Sequence, residues 1–527
     1  ASMKVFFFLA IAFTMLVAFP DSTRLARAGT ARSAKPDFGP QTGLLYLPLA
    51  DGETLEFTLE QLMAGFHVPG LSVAIVDRYK VVWARGFGVT APAGKKPVTT
   101  TTLFQAGSIS KPVAAAGALW LVEHGKLLLD EDVNEKLRSW KVPENEFTKD
   151  QKVTLRRLMS HTAGLTVHGF PGYAASEPLP TLAQILDGEK PANTPPVRVD
   201  FVPGTRLRYS GGGVEIEQQL MMDVTGKPFP QFMQETVFRK IGMHDSTYQQ
   251  PLPADRAAHA ATGTRENGEA VEGKWHVYPE MAAAGLWTTP SDLAKFGIEI
   301  ALSKQGKANH VLSEKMTREM LTVQTPRSPK DEGVAGLGFF LDPSKPEWFE
   351  HGGIDEGFQA ELMMFADTGK GLALMGNSLG TFRLLPYLLD RIVEDYGWNV
   401  GRPPTDAFSP MLLIEGARGV DAALGFYGRV KKGEVPRYRA TEDGNGFGTL
   451  TDFGYRLLES KKIDEAVKTF ELEVRESPDA WNAHDSLGDA YQAAGKTDLA
   501  IESYEKSLAL NPQNKHAAEM SKKLKGQ

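Results

Sequence analysis

The chain contains no cysteine. That excludes disulfides, a lipid-modified cysteine and thiolate metal sites, so the fold rests on its packed core alone. Charge of one sign is not in excess either. Lys and Arg number 58 against 65 Asp and Glu, a net charge of −7, which gives no basic footprint for nucleic acid. The apolar run Val5–Phe19 is shorter than the ~20 residues a membrane-spanning helix needs. No Gly-x-Ser-x-Gly elbow occurs, which argues against an α/β-hydrolase. No Gly-x-x-x-x-Gly-Lys-Ser/Thr loop occurs, so nucleotide binding has no support. The 11 histidines show no His-Glu-x-x-His pairing, and neither metal nor cofactor is expected.

What is present is ordinary in bulk and specific in detail. The 527 residues are 42% hydrophobic and 23% charged, as in soluble globular chains with room for two or three domains. Residues 1–28 read as a secretory leader. Met3-Lys4 gives a positive start, Val5–Phe19 an apolar run and Ala26-Arg-Ala28 a small-x-small cleavage site. Ala1-Ser2, ahead of Met3, read as a cloning scar. The expected location is therefore periplasmic or secreted, with no stable membrane anchor.

One stretch organises the rest: Phe104-Gln-Ala-Gly-Ser108-Ile-Ser-Lys111-Pro-Val-Ala. It reads as a strand or loop entering a helix. A serine and a lysine three apart share one helical face. An uncharged lysine there can take the proton of a hydroxyl that is a poor nucleophile alone. Free N–H groups at the helix start can hold an oxyanion. The spacing by itself is weak, since Ser503–Lys506 repeats it on a solvated helix. A plain N-cap serine is the alternative reading of Ser108.

Along the chain, Leu55–Phe66 has helical spacing, and Leu71–Arg78 with Val81–Gly88 reads as a hairpin. A helix runs from Ser108 to about His124, and residues 166–205 read as long loops over a site. Tyr209-Ser-Gly-Gly-Gly213 opens a helix, and Asp292 reads as the cap of another. Strand signals return at Gly336–Leu341, Glu347–His351, Gly357–Phe365 and Gly371–Asn377, before a closing helix over Thr381–Tyr396. Strands at both ends with helices between predict one α+β domain. Its antiparallel sheet would be shared by the terminal strands and flanked by helices, with a helical lobe from the middle. Ser108 and Tyr209 would then reach the site from the lobe, and His351 from the sheet.

Beyond a connector with no clear period lies a repeat. Gly454, Ala466, Phe470 and Pro478 recur 34 residues later as Gly488, Ala500, Tyr504 and Pro512. With Leu487 and Tyr491 this resembles the tetratricopeptide pattern, a small all-α repeat domain ending in a helix over His516–Leu524. Two repeats are too few to stand alone, so docking on the first domain or on another copy is expected, as is a possible protein partner.

Phe104–Lys111, Tyr209-Ser-Gly and His351-Gly-Gly, in that order, resemble the three signature motifs of serine β-lactamase-like hydrolases. That group takes in class C β-lactamases, penicillin-binding proteins, D-aminopeptidases and β-lactamase-like esterases. Leu158–Leu165, Gly285–Leu293 and Gly357-Phe358 look familial too. The resemblance implies a β-lactamase/transpeptidase-like fold and an acyl-enzyme mechanism. It makes Ser108 the nucleophile and gives Lys111 and Tyr209 the role of general base. His351 would position substrate or hold Tyr209, and Gly352, Gly353, Ile354 and Gly211 would serve substrate binding. The oxyanion would be held by the Ser108 N–H and one just after Gly353. The domains expected are a leader over 1–28, the hydrolase over 29–400, a connector over 401–447 and repeats over 448–527.

Two departures bear on substrate. Gly211 stands where many relatives have an asparagine suited to an amide, and His351 stands where class C enzymes have lysine. Histidine is mostly neutral at pH 7 and does not offer a carboxylate a fixed charge. Both departures favour a carboxylesterase. D-peptidase, amidase or β-lactamase activity remains the alternative. A non-turnover protein recruiting a partner through its repeats is a third reading. Of the other candidates, His161 reads as a brace for the serine's helix, His168 and Tyr173 as cleft lining and Trp287 as core or cleft wall.

Overall fold

The computed structural model describes residues 45–49, 53–326, 333–398, 404–441 and 448–526. The leader over 1–28, most of the arm that follows and the ends of the connector lie outside the described residues. The chain divides into two compact units. One is Phe66–Phe382, and the other joins the described residues of 33–65 and 383–527. The units thus part at Gly65 and Phe382, whereas the sequence places the domain edges at 29 and 400.

The first unit is built on a six-stranded antiparallel sheet. Its strands are β1 (Gly70–Asp77), β2 (Lys80–Gly88), β3 (Phe340–Asp342), β4 (Lys345–Asp355), β5 (Phe358–Phe365) and β6 (Lys370–Gly376). The order across the sheet is β2-β1-β6-β5-β4-β3, so the terminal strands of the expected α+β domain share it. Arg78 and Tyr79, at φ +51° and +61°, close the β1–β2 hairpin as two left-handed residues, the geometry that matches strand twist. β5 is buried along its whole length, as a strand covered on both faces must be.

Four helices matter for the site: α1 (Ser110–Glu123), α2 (Gly211–Thr225), α3 (Met281–Ala284) and α4 (Pro290–Lys304). α4 crosses the sheet closely, because a Cβ on Gly297 would come within 2.7 Å of Met364 Cγ. Its N-cap is Thr289, whose hydroxyl accepts the Asp292 N–H at 3.2 Å. Asp292 is therefore not the cap. It sits in the first turn and accepts from Asp245 N–H and Ser246 Oγ, both at 2.9 Å. The alanines of α1 are fully buried, which lets neighbouring helices approach. The first unit's core runs continuously from these helices into the sheet.

In the second unit, Leu45–Pro48 and Thr54–Phe57 pair as an antiparallel hairpin before a helix over Leu59–Gly65. The helix expected over Leu55–Phe66 is thus strand at its start, over Leu55–Phe57, and helix only from Leu59. The closing helix begins as a 3-10 turn, Thr381–Leu384, and continues as α5 (Leu385–Tyr396). The connector is not irregular. It contains α6 (Phe408–Arg418) and α7 (Val420–Lys431), which pack on each other as a hairpin, with α6 also against α8 (Thr449–Glu459). Next come α9 (Ile463–Glu476), α10 (Trp481–Ala493), α11 (Thr497–Leu510) and α12 (Lys515–Leu524). The repeat stack therefore has three helix pairs and a cap, enough to bury a continuous core. Within it a Cβ on Gly454 would strike the Phe470 ring at 2.5 Å, and one on Gly488 the Tyr504 ring at 2.6 Å. That is the sequence pattern in physical form: glycine makes room for the aromatic of the next helix.

Candidate active site

The nucleophile segment is fixed before its helix begins. Phe104–Gln105 pairs with Trp287–Thr288, and the chain then turns through a 3-10 turn, Gly107–Ile109, into α1. Ser108 lies in that turn rather than in the helix. Gly107 has φ +51°, and a Cβ there would sit 2.5 Å from Ile354 N. A Cβ on Gly353 would sit 1.9 Å from the Ala106 carbonyl oxygen and 3.1 Å from Ser108 N. β4 can pass the nucleophile turn only because both residues are glycine. The segments that carry Ser108 and Ile354, whose N–H groups the sequence reading expects at an oxyanion, are thus in direct contact.

Lys111 is buried, at 3% exposure. Its Nζ donates to Ser108 Oγ at 2.9 Å and to the Ala283 carbonyl at 2.7 Å. It also lies 5.0 Å from the centre of the Tyr209 ring. Ser108 and Lys111 are thus within the reach proton transfer requires, and the Tyr209 ring lies beside them. Ser110, the neighbouring serine, is fully buried, and its Oγ accepts from Leu286 N–H at 3.0 Å. It is a structural group.

Tyr209 is held by a cluster of rings. His161 lies 4.3 Å away by ring centre, His168 4.9 Å, Phe340 6.0 Å and His351 6.2 Å. Ser210 caps α2 through Gly213 N–H at 3.1 Å and donates to the Thr166 carbonyl at 2.7 Å. Burial pushes the His161 imidazole well below its usual range, with the charge of Lys111 adding to the effect. It is therefore neutral, and its Nδ1 accepts the Ser210 N–H at 3.3 Å. His161 braces the tyrosine's segment, not the serine's helix.

His351 is 2% exposed. Burial, then the charge of Lys111, push its pKa down to about 3, against a bond to the Gly352 carbonyl. Nδ1 lies 2.6 Å from that oxygen and so carries the proton. Nε2 is a bare acceptor with no partner among the described residues. A neutral imidazole stands where a cation would be needed to anchor a carboxylate.

The glycines divide by role. Gly353 and Ile354 face the nucleophile, and Gly352 orients His351 through its carbonyl. Gly211 does not face substrate with a free N–H, because its N–H is given to the His168 carbonyl at 2.9 Å. A Cβ there would meet the Phe170 ring at 2.9 Å, so Gly211 is a packing residue. Tyr173, expected in the cleft, is buried at 1% exposure and accepts from Asn193 N–H at 3.2 Å. Trp287 is fully buried core.

Three contributors escaped the sequence. Ala283 acts through its carbonyl, which no side-chain pattern reveals. Phe340 stacks near-parallel to Tyr209, at 18°, from a short edge strand. Glu215 lies inside α2 and is fully buried. Its signal was present, as a glutamate among apolar residues on a buried helix.

The sequence profile of the family described as Beta-lactamase matches residues 55–395. The chain belongs to the beta-lactamase family. The tetratricopeptide repeat profile matches residues 481–514. A β-lactamase of Pseudomonas fluorescens is 28% identical over 247 residues, 46% of this chain and 63% of that protein. The unguisins hydrolase ungD of Aspergillus violaceofuscus is 25% identical over 381 residues, 65% of this chain and 63% of that protein. The chain thus spans just under two thirds of either relative. In fold, it is similar to the β-lactamase/D-alanine carboxypeptidase of Yersinia pestis, with a TM-score of 0.52 and 18% identity over 64% of this chain and 96% of that one. The beta-lactamase family fold accounts for the shared sheet and for the order in which Ser108, Lys111, Tyr209 and His351 arrive at one place.

Proposed function

We propose that this beta-lactamase family member hydrolyses carboxylic esters through an acyl-enzyme on Ser108. The observation that carries the acyl transfer is the 2.9 Å contact between Ser108 Oγ and the buried Lys111 Nζ. The hydroxyl proton passes to Lys111 in its uncharged form, directly or with Tyr209, as Oγ bonds to the ester carbonyl carbon. The negative oxygen lies toward the Ser108 and Ile354 N–H groups. The carbonyl–alkoxy bond then breaks and the alcohol leaves with the proton. Water, activated by the same base, releases the acid and restores Ser108.

The neutral His351 supports an ester over a β-lactam or a peptide ending in a carboxylate, since nothing at that position supplies a fixed charge. The absence of an asparagine at Gly211 supports the same choice. The leader-like residues 3–28 support export to the periplasm or beyond, and the repeats support a protein partner. The test is one substrate panel: p-nitrophenyl butyrate, a D-alanyl anilide and a chromogenic cephalosporin, with the parent and Ser108→Ala. Ester turnover well above the other two, lost by more than about a thousandfold in the variant, is expected. Preference for the anilide or the cephalosporin would replace the ester reading with amide chemistry.

A further inference from the structure

Lys111 is anchored by a turn that another buried acid holds in place. α3 is a single turn of helix, and its free N–H groups are taken by side chains of α2. Ala282 N–H donates to Gln218 Oε1 at 2.7 Å, and Ala283 N–H donates to Glu215 Oε1 at 3.0 Å. Ala283 in turn accepts at its carbonyl from Lys111 Nζ at 2.7 Å. One residue thus links a carboxyl on α2 to the lysine on α1. α2 is also the helix that Tyr209 and Ser210 open. A single helix therefore sets the position of the tyrosine at its start and, through Glu215, the acceptor that aims the lysine.

We propose that Glu215 is a positioning residue for Lys111, fixing the Ala283 carbonyl so that Nζ stays within reach of Ser108 Oγ. This rests on the serine hydrolase reading above and deepens it. Glu215 is fully buried, and its Oε2 has no partner among the described residues. Burying a carboxyl with half its hydrogen-bonding capacity unused is costly, so packing alone does not favour glutamate there. Glu217 is a built-in control. It lies on the same helix at 1% exposure, yet among the described residues it makes no hydrogen bond to α3. Without an acceptor at 215, the Ala283 N–H is orphaned inside the protein. The turn must then move to satisfy it, taking its carbonyl away from Nζ.

The variants separate positioning from bulk stability. Glu215→Gln keeps the Oε1 acceptor and imitates a neutral carboxyl, the form burial favours here. Glu215→Leu fills the space without an acceptor. Glu215→Asp keeps the acid and withdraws it by one methylene, a milder change should the leucine variant fail to fold. Steady-state kinetics on p-nitrophenyl butyrate, with thermal melting of each protein, gives the readout. The expected result is kcat within about threefold of the parent for Glu215→Gln and Glu217→Leu. A fall of about thirtyfold or more is expected for Glu215→Leu and Glu215→Asp, with KM within about threefold. Parental kcat in either of the last two would overturn the proposal. So would a Glu215→Gln variant that falls as far as the leucine, or a Glu217→Leu variant that falls equally. A parent that neither turns over the ester nor is labelled at Ser108 by a fluorophosphonate would overturn the underlying reading, and this inference with it.

Discussion

His161 grips the backbone on both sides of Tyr209. Its carbonyl accepts the Arg208 N–H at 2.8 Å, and its Nδ1 accepts the Ser210 N–H at 3.3 Å. It does so from a left-handed conformation, at φ +57°, which aims carbonyl and ring at the same short segment. The tyrosine's place in the site is thus set by a residue that need not touch substrate.

His161→Ala should therefore lose more than a contact. The buried Ser210 N–H would be orphaned, at a cost of about 1–3 kcal/mol, and Tyr209 would lose its brace. The expected outcome is a lower melting temperature and a kcat down by about tenfold or more. His161→Asn should recover much of both, because asparagine tolerates the left-handed region and offers a side-chain acceptor. Kinetics and melting of the pair check this. An alanine variant indistinguishable from the parent would contradict it.

Gly353→Ala is expected to be among the most damaging small substitutions. The added Cβ would lie 1.9 Å from the Ala106 carbonyl oxygen, inside any real contact, with backbone on both sides. β4 and the Ser108 turn would have to separate. Activity should fall to background while the far-ultraviolet circular dichroism changes little. Gly352→Ala is the comparison. A Cβ there would meet the Glu361 Oε2 at 3.2 Å, a side-chain end that can shift, and a partial loss is expected.

These two cases show what the sequence could and could not tell. Ser108, Lys111, Tyr209 and His351 could be read as candidates because each is a side chain in a motif of fixed order, and the fold brings them together. The close approach of Gly353 to Ala106 was not legible, since it depends on two segments far apart in sequence. Ala283 acts through its backbone and leaves no side-chain signature, and His161 was legible as a brace but not as one for the Tyr209 segment. The shared sheet was legible from strands at both ends of the expected α+β domain. The α6–α7 pair was not, because α6 begins at Phe408 and α8 at Thr449, and that spacing breaks the 34-residue period.

The neutral state of His351 has a pH consequence. Its folded pKa is about 3 against an ordinary value near 6.5. As pH falls below about 6.5 the unfolded chain takes up a proton that the folded chain refuses, so stability is lost with acidification until about pH 3. The slope from this group is roughly 1.4 kcal/mol per pH unit. Compared with the parent, His351→Asn should lose less melting temperature between pH 7 and pH 5. Equal losses in both proteins would show that the histidine is protonated in the fold.

His516 is predicted to behave in the opposite sense. A hydrogen bond donated to Asp485 raises its pKa, with Asp489 adding to the effect against partial burial. It ties α12 to α10, with Nδ1 3.1 Å from the Asp485 carboxylate. Its contribution is complete below its unfolded pKa and is lost as pH rises through the raised folded value. Amides of α12 should exchange more slowly at pH 6 than at pH 8, after correction for the intrinsic rate. In His516→Gln that difference should vanish. If it persists, the cap is held by other contacts.

The central claim is that Ser108 is the residue acylated. The most direct measurement is the intact mass of the protein after reaction with an activated fluorophosphonate, followed by peptide mapping. The account predicts one adduct, on Ser108, absent in Ser108→Ala and slowed by about a hundredfold or more in Lys111→Ala. An adduct on the buried Ser110, or equal labelling of Ser108→Ala, would contradict it.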